Sequence, residues 1–370
     1  VREQSQPNGQ RKYYLDYLRV AAIIAVVLMH AAGRCCGGDD NARSYVWQVC
    51  NIFSSGTRWA VPIFVMISGS LFLDIHKRLP LRVLYGKYIR RLVYAYLFWA
   101  PIYVAYLALM GIDFQHANYT APGGALLYIR DIFLGTLGGS DFHFWYLFML
   151  AGVYMIAPLI KVTIDSGDEH LIRYGMGFMF VMSVVLPVFD HLDLFRGLFD
   201  EDLYNLGLGL LSNVYVFYFM LGWYLDTHSF SRRQRTVLYI AGIVCCLFTI
   251  LSVGLSSYHT GTLDEYFRKN PRPNVMIMAM AVFVLIKHCL KDRQLSEKQQ
   301  HLVTLLSRYS FGVFLSHLLF VRILASSIHI SAGVVSPLLE VAVVFVGSLV
   351  ASLILTHFMY RSRFLRSWVI

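Results

Sequence analysis

Leu15-Asp16-Tyr17-Leu18-Arg19, then Val20-Ala21-Ala22-Ile23-Ile24-Ala25-Val26-Val27-Leu28-Met29, then His30: this stretch decides which solvent the chain folds in. With the aromatic residues before it, the apolar run approaches the roughly 20 residues that a helix needs to cross a hydrocarbon core. Because it follows basic residues and precedes Ala31-Ala32, it also has the outline of a cleaved signal peptide. Arg19 and His30 decide against that outline, since a secretory core does not normally carry an arginine and a histidine. The stretch is read as a membrane helix that keeps two ionisable side chains.

Outward from there the pattern repeats. The chain is 57% apolar and 15% charged with a mean hydropathy of +0.55, far from the mix of a soluble domain of 370 residues. Ten apolar runs follow one another, at 13–33, 53–74, 91–111, 144–164, 171–189, 206–225, 236–257, 274–290, 308–328 and 336–358. The expected fold is an all-α polytopic membrane protein of about ten transmembrane helices, one domain over 1–370. A net charge of +10 raises the question of nucleic acid, and the placement of the cations answers it. Arg2, Arg11 and Lys12 precede the first span, Lys77, Arg78, Arg82 and Lys87 follow the second, and Arg232, Arg233 and Arg235 follow the sixth. Lys291, Arg293 and Lys298 follow the eighth, and Arg361, Arg363 and Arg366 end the chain. Basic residues in alternate loops mark the cytoplasmic side, which makes 1–12 and 359–370 cytoplasmic tails. The one loop that does not fit holds Asp165, Asp168 and Glu169.

No repeat or linker divides the chain. Segment 112–143, with the turn Ala121-Pro122-Gly123-Gly124 and the apolar stretch Ala125 to Leu137, reads as a re-entrant or interfacial cap on the outer side. Segment 258–273 is a second outer loop. Cys245, Cys246 and Cys289 read as small hydrophobes buried in helices, whereas Cys35, Cys36 and Cys50 face the outer side, where a structural disulfide is open.

Ionisable groups inside a span are the first functional candidates. Arg19 and His30 lie about eleven positions apart, which at about 100° per residue returns them to one helix face, roughly 16 Å apart along the axis. An imidazole suits acceptance of a hydroxyl proton near neutral pH, and an arginine suits a phosphate-bearing donor. The structural account makes Arg19 a snorkelling anchor paired with Asp16 at i,i+3, and His30 an interfacial residue. Lys87, Arg90 and Arg91 form a basic cluster at the inner mouth of the third span, fitted to donor phosphates or to plain anchoring. Arg58 near an outer end fits an acidic glycan or an oxyanion, or else a lipid headgroup. His143, Trp145 and Tyr146 open the fourth span with a polar aromatic surface suited to sugars, or with an interfacial belt. His317 lies inside the ninth span and needs a partner there. In the second span, Pro62 with Ser68-Gly69-Ser70 reads as a kink and a close helix contact. No P-loop, dinucleotide fingerprint, HExxH, GxSxG elbow or metal cluster is present, which argues against ATP-driven transport, redox and serine-hydrolase classes.

Taken in order, these stretches resemble the acyltransferase 3 family of membrane O-acyltransferases, within it the branch of the enterobacterial common antigen O-acetyltransferase (WecH-like). Leu15-Asp16-Tyr17-Leu18-Arg19 with His30 matches its Arg-x10-His pattern, and Val61-Pro62-Ile63-Phe64 through Ser68-Gly69 resembles its second-helix signature. His143-Phe144-Trp145-Tyr146-Leu147 with Ala157-Pro158-Leu159, Phe219 through Leu225, and Tyr309-Ser310-Phe311-Gly312 with His317 also resemble family stretches. The resemblance implies acyl-CoA as a cytoplasmic donor, His30 as the catalytic residue, and a donor-phosphate role for Arg19 and the cluster Lys87, Arg90 and Arg91. The chain departs from the family's arginine pair at Tyr88, so that Lys87 or Arg90 has to stand in.

The expectation is an inner-membrane O-acyltransferase, O-acetylation being the first choice, in which acetyl-CoA or another acyl-CoA is a co-substrate and no cofactor is permanently bound. His30 serves as general base or acyl carrier, Arg58 or His143 orients the acceptor, and Asp16 and His317 support them. Its partners are the acyl-CoA, a polysaccharide or lipid-linked glycan and membrane lipids; homo-oligomerisation is open. The competing readings are an exporter of a glycan or small molecule and a regulatory membrane subunit.

Overall fold

The computed structural model describes residues 11–35, 41–109, 143–191, 213–327 and 336–370, and every regular element among them is helical. Helix α1 is Tyr13–Cys35, α2 is Tyr45–Gly56 and α3 is Ala60–Phe72. A turn at Leu81–Val83 and a π-helical stretch at Leu84–Ile89 lead into α4, Arg90–Leu109. Then come α5 (Trp145–Asp165) and α6 (Glu169–Phe180), the latter prolonged by a π segment, Val181–Val185, to His191. Helices α7 (Val214–Thr227), α8 (Arg232–Thr260), α9 (Pro273–Leu290), α10 (Glu297–Ser327), α11 (Pro337–Arg361) and α12 (Arg363–Trp368) complete the chain.

Seven of these, α1, α5, α6 with its extension, α8, α9 with its lead-in, α10 and α11, are long and apolar enough to cross a bilayer. The chain is an all-α polytopic membrane protein. The three other expected spans take other forms. Span 53–74 is broken at Thr57–Trp59 into α2 and α3: the Thr57 hydroxyl donates back to Phe53 C=O at 2.7 Å and closes the last turn of α2. Pro62 therefore sits in the first turn of α3, where a missing N–H costs nothing, and is not a mid-span kink. Span 91–111 is α4, and 206–225 contains the shorter α7, residues 206–212 lying outside the described residues.

Sequence chemistry sets the ends. Ser231 and Gln234 form a reciprocal capping box that starts α8 ahead of its apolar run, and Gly261, at φ 79°, ends it in the left-handed conformation that glycine adopts without strain. Ser296 and Gln299 cap each other in the same way, so α10 begins well before the expected 308. Asp168 caps α6 by accepting from His170 and Leu171 N–H, and those two bonds hold its carboxyl below the ordinary range.

The apolar windows of α1 and α10 are 61% buried and those of α8 and α11 22%, which puts the first pair at the centre and the second pair against lipid. Val237, Ile240, Ile243, Val244, Leu247 and Leu251 form the exposed apolar face of α8, as a bilayer requires. Cys245 and Cys246 are half-buried on that helix and Cys289 is exposed on α9, so the expected burial of all three does not hold. Cys50 is buried in α2, and the side chains of Cys35 and Cys36, the other two cysteines expected on the outer side, lie outside the described residues, as does nearly all of the 112–143 segment.

Helix α7 packs most extensively on α3, and glycines make that crossing possible. A Cβ on Gly69 would stand 1.7 Å from Phe219 C=O and one on Gly222 2.0 Å from Met66 C=O, while Ser70 Oγ donates to Gly222 C=O at 2.9 Å. Within the segment expected as a C-terminal tail, α12 docks beside α4 with Val369 and Ile370 buried.

Polar contacts gather the loops at two opposite ends. At one end Lys12 pairs with Asp226 at 2.8 Å, Tyr14 donates to the same carboxylate, and Tyr13 donates to Gln300 at 2.9 Å. Buried Lys287 caps the C-terminus of α7 there, donating to Leu225, Asp226 and His228 C=O at 3.0, 2.8 and 2.9 Å. At the other end Arg43 donates to Tyr258 and His259 C=O. Three of the five basic segments, those before the first expected span and after the sixth and eighth, thus meet at one end of the bundle.

Candidate active site

Near its N-terminus α1 presents Asp16 and Arg19 one turn apart. Asp16, 4% exposed, accepts from Arg11 Nε at 2.7 Å and from Ser307 Oγ of α10 at 2.6 Å, and Arg19 Nη1 lies 3.6 Å away. Arg19 also donates to Ser307 Oγ at 2.9 Å. The i,i+3 pair expected from sequence is present, and it orients Arg19 and does not consume it, because the guanidinium still lines a cavity of about 350 Å³. The Arg11 guanidinium, outside the span, is raised above its ordinary value first by its bond to Asp16, against partial burial.

That cavity opens between α1, α3, α4, α5, α10 and α11. Arg91 lines it with its guanidinium 4.9 Å over the Phe311 ring, Arg308 lines it from α10, and Tyr88, Tyr154 and Tyr360 complete a polar aromatic wall. Ser68 Oγ and Tyr154 Oη are 3.3 Å apart on its α3 side. Of the expected donor-binding residues, Arg19 and Arg91 therefore share one cavity. Lys87 and Arg90 are exposed and do not line it. Arg308, which sequence reasoning passed over, supplies the further cation; its signal was its place directly before Tyr309-Ser310-Phe311-Gly312.

The far wall of the cavity, Tyr146 and Phe314, borders a cluster of three imidazoles. His30 and His317 have ring centres 5.2 Å apart, and His143 and His317 5.0 Å apart, with Phe314 4.8 Å from His143. His317 is fully buried, and its Nδ1 faces the carbonyls of Phe314 at 2.7 Å and Val313 at 3.1 Å. A carbonyl only accepts, so Nδ1 carries the proton and Nε2, which has no hydrogen-bond partner among the described residues, keeps its lone pair. Tyr103 of α4 fixes this turn of α10. Its hydroxyl donates to Leu315 C=O at 2.9 Å and accepts from Leu319 N–H at 3.1 Å, the two groups that an uninterrupted helix pairs with each other. His317 lies between them. Tyr103 shows in the sequence only as one more aromatic in an aromatic-rich helix, whereas Arg322, buried on α10 one turn further on, lies inside the apolar run 308–328, where its charge was a signal passed over.

Past the histidines, toward the opposite end of the bundle, is a second cavity of about 300 Å³. Arg58, at the break between α2 and α3, lines it with Trp145, Tyr215, Glu265, Arg268, Lys269 and Asn270. Of the four expected acceptor contacts, Arg58 and Trp145 meet here, His143 belongs to the histidine cluster, and Tyr146 faces the first cavity. The entry to α5, His143 to Tyr146, thus addresses all three places. Burial alone would raise the Glu265 carboxyl, but the bond and charge of Arg268, then Arg58 and Lys269, hold it below its ordinary value. Among the described residues no group of His, Cys, Asp and Glu is arranged to hold a metal ion.

The cation-lined cavity, the three imidazoles and the second polar aromatic cavity follow one another along the bundle, with the imidazoles packed between the two cavities and lining neither. Residues 12–357 match the family model described as an acyltransferase domain (Acyl_transf_3). No curated protein and no solved structure matches the chain. With nearly its whole length inside that match, the chain belongs to the Acyl_transf_3 family and is a multi-pass membrane acyltransferase.

Proposed function

We propose that this enzyme is an inner-membrane O-acetyltransferase that moves the acetyl group of cytoplasmic acetyl-CoA to a hydroxyl of a surface polysaccharide or lipid-linked glycan. The observation that carries the reading is the adjacency of the cavity holding Arg19, Arg91 and Arg308 to the His30–His317–His143 cluster, which packs behind its wall residues Tyr146 and Phe314. Three guanidinium groups suit the phosphates of a nucleotide-like thioester, which would enter at the end where basic loops collect. The acetyl group and the glycan acceptor rest on the sequence resemblance to the WecH-like branch.

In this reading the donor's thioester reaches the imidazoles while its phosphates stay on the arginines. His30 takes the proton of the acceptor hydroxyl as its oxygen attacks the thioester carbon. The C–S bond breaks, a C–O ester bond replaces it, and the proton on His30 passes to the departing thiolate, so that an O-acetyl ester and free CoA leave. His317, fixed as its Nδ1–H tautomer, offers Nε2 toward the same charge change, and holding donor and acceptor along one path lowers the entropic part of the barrier.

The test is release of free CoA by the purified protein in lipid, with and without a glycan extract, comparing wild type with His30→Ala. Turnover that His30→Ala abolishes is the expected result. Turnover that survives the substitution, or none with any acyl-CoA, refutes the reading.

A further inference from the structure

The cavity at the Arg58 end is strongly biased in charge. Arg58, Arg268 and Lys269 bring three cations against one carboxylate, Glu265, and that carboxylate is already committed to Arg268 as an ion pair and hydrogen bond. Arg58 forms no ion pair among the described residues; its Nη2 meets only the Ser54 hydroxyl at 3.3 Å, and its Nε is buried without an acceptor. Arg268 Nε is likewise buried and unmatched. A half-buried guanidinium with no anion among the described residues is costly, so Arg58 marks a place for a ligand's anion, and the unmatched Nε of Arg268 offers it a further N–H.

The rest of the wall is suited to a sugar ring. Trp145 and Tyr215 stand 5.8 Å apart with rings inclined by 44°, Trp145 keeping much of its face exposed. Asn270 is held in place beside them, its amide donating to Tyr215 Oη at 2.8 Å while its backbone C=O accepts from Tyr218. A volume of about 300 Å³ is at the small end of ligand sites, enough for one sugar unit and not for a folded chain.

We propose that this cavity selects an acidic sugar, one whose ring carries a carboxylate or phosphate that Arg58 and Arg268 hold while the ring rests on Trp145 and Tyr215. The acceptor of the acetyl group is then an anionic glycan and not a neutral one. Only the word acceptor depends on the function proposed above, since the charge selection stands on the cavity alone.

The test is binding without donor, using the full chain in discs of zwitterionic phosphatidylcholine and reading tryptophan fluorescence. The probes are methyl glucuronide, glucose 1-phosphate and methyl glucoside. The charged sugars are expected to bind about tenfold or more tightly than the neutral one. Arg58→Gln should bring that ratio to within about twofold, with Arg58→Lys recovering part of it, and Lys269→Gln, an exposed site, should lower it without risk to folding. Preference for glucuronide alone or for glucose 1-phosphate alone identifies the anion as carboxylate or phosphate. Equal binding of charged and neutral sugars overturns the proposal, as does a preference that vanishes when phosphatidylglycerol is added to the disc, which would make a lipid headgroup the occupant. Either failure leaves His30-dependent CoA release untouched, and loss of that release leaves the binding result standing.

Discussion

Tyr103→Phe removes one oxygen atom and tests how the histidine cluster is held. Tyr103 is fully buried, and its hydroxyl is interposed between Leu315 C=O and Leu319 N–H. Without it, two outcomes bound the cost. If the turn closes, carbonyl and amide pair with each other and the loss is about 1 kcal/mol, one net hydrogen bond. If packing keeps the turn open, two buried groups stay unmatched at about 1–3 kcal/mol each. Closing would also carry His317 away from His30 and His143, whose ring centres lie 5.2 and 5.0 Å from it. A shift on the order of 1 Å in a reacting constellation costs up to about a hundredfold in rate. The expected result is therefore a fall of about ten- to a hundredfold in kcat for acyl-CoA turnover. KM should stay within about twofold, since the cavity of Arg19, Arg91 and Arg308 is not involved. Steady-state kinetics in lipid discs and a thermal unfolding curve measure both quantities. A kcat equal to wild type, with Tm lowered, would show that the hydroxyl serves stability alone and would refute the positioning argument.

Arg91→Ala and Arg308→Ala should each raise KM for acyl-CoA by about ten- to a hundredfold, as expected for losing a charged hydrogen bond; Lys87→Ala and Arg90→Ala should change it by less than about threefold, and kinetics on the four variants separates the groups. Gly69→Ala and Gly222→Ala place a methyl within 1.7 and 2.0 Å of facing carbonyls, so both should abolish recovery of folded protein, read as a lost monodisperse peak in detergent. Because the Glu265 pKa is lowered in the folded protein, its stabilising contribution is complete above the unfolded carboxyl value, about 4.3, and is lost as pH falls through the folded value. The protection factor of the amides around Glu265, their exchange corrected for its intrinsic pH dependence, should therefore fall toward acid pH in wild type, and Glu265→Gln should remove that fall.

Hydropathy found the helices because a bilayer demands long apolar runs, and the helical period found Arg19 and His30 on one face because 3.6 residues per turn leaves little freedom. The same window hid the break at Thr57–Trp59, since averaging with the apolar residues from Ala60 to Phe72 outweighs the polar Ser54-Ser55-Gly56-Thr57-Arg58 that marks it. It also hid the early start of α10, which the spacing of Ser296 and Gln299 announces to a reader looking for caps. Ser68-Gly69-Ser70 was legible as a close contact, but its partner Gly222 was not, because pairing across a bundle leaves no local trace. Arg308 and Lys287 look alike in sequence, each a cation near the end of an apolar run. Packing alone separates them: one lines a cavity, and the other is spent on three carbonyl groups.

The bond between Asp16 and Ser307 joins residues 291 positions apart. At about 5–20 residues per second of synthesis, Ser307 emerges roughly 15–60 s after Asp16. During that interval the first helix must reside in the membrane with an aspartate and an arginine whose final partner does not yet exist. Arg11, five positions from Asp16, is the partner already on hand, and its bidentate grip is local enough to form at once. The central helix of the enzyme is therefore made long before it is completed, and a nascent chain halted before α10 carries an unfinished core that quality-control proteases can recognise.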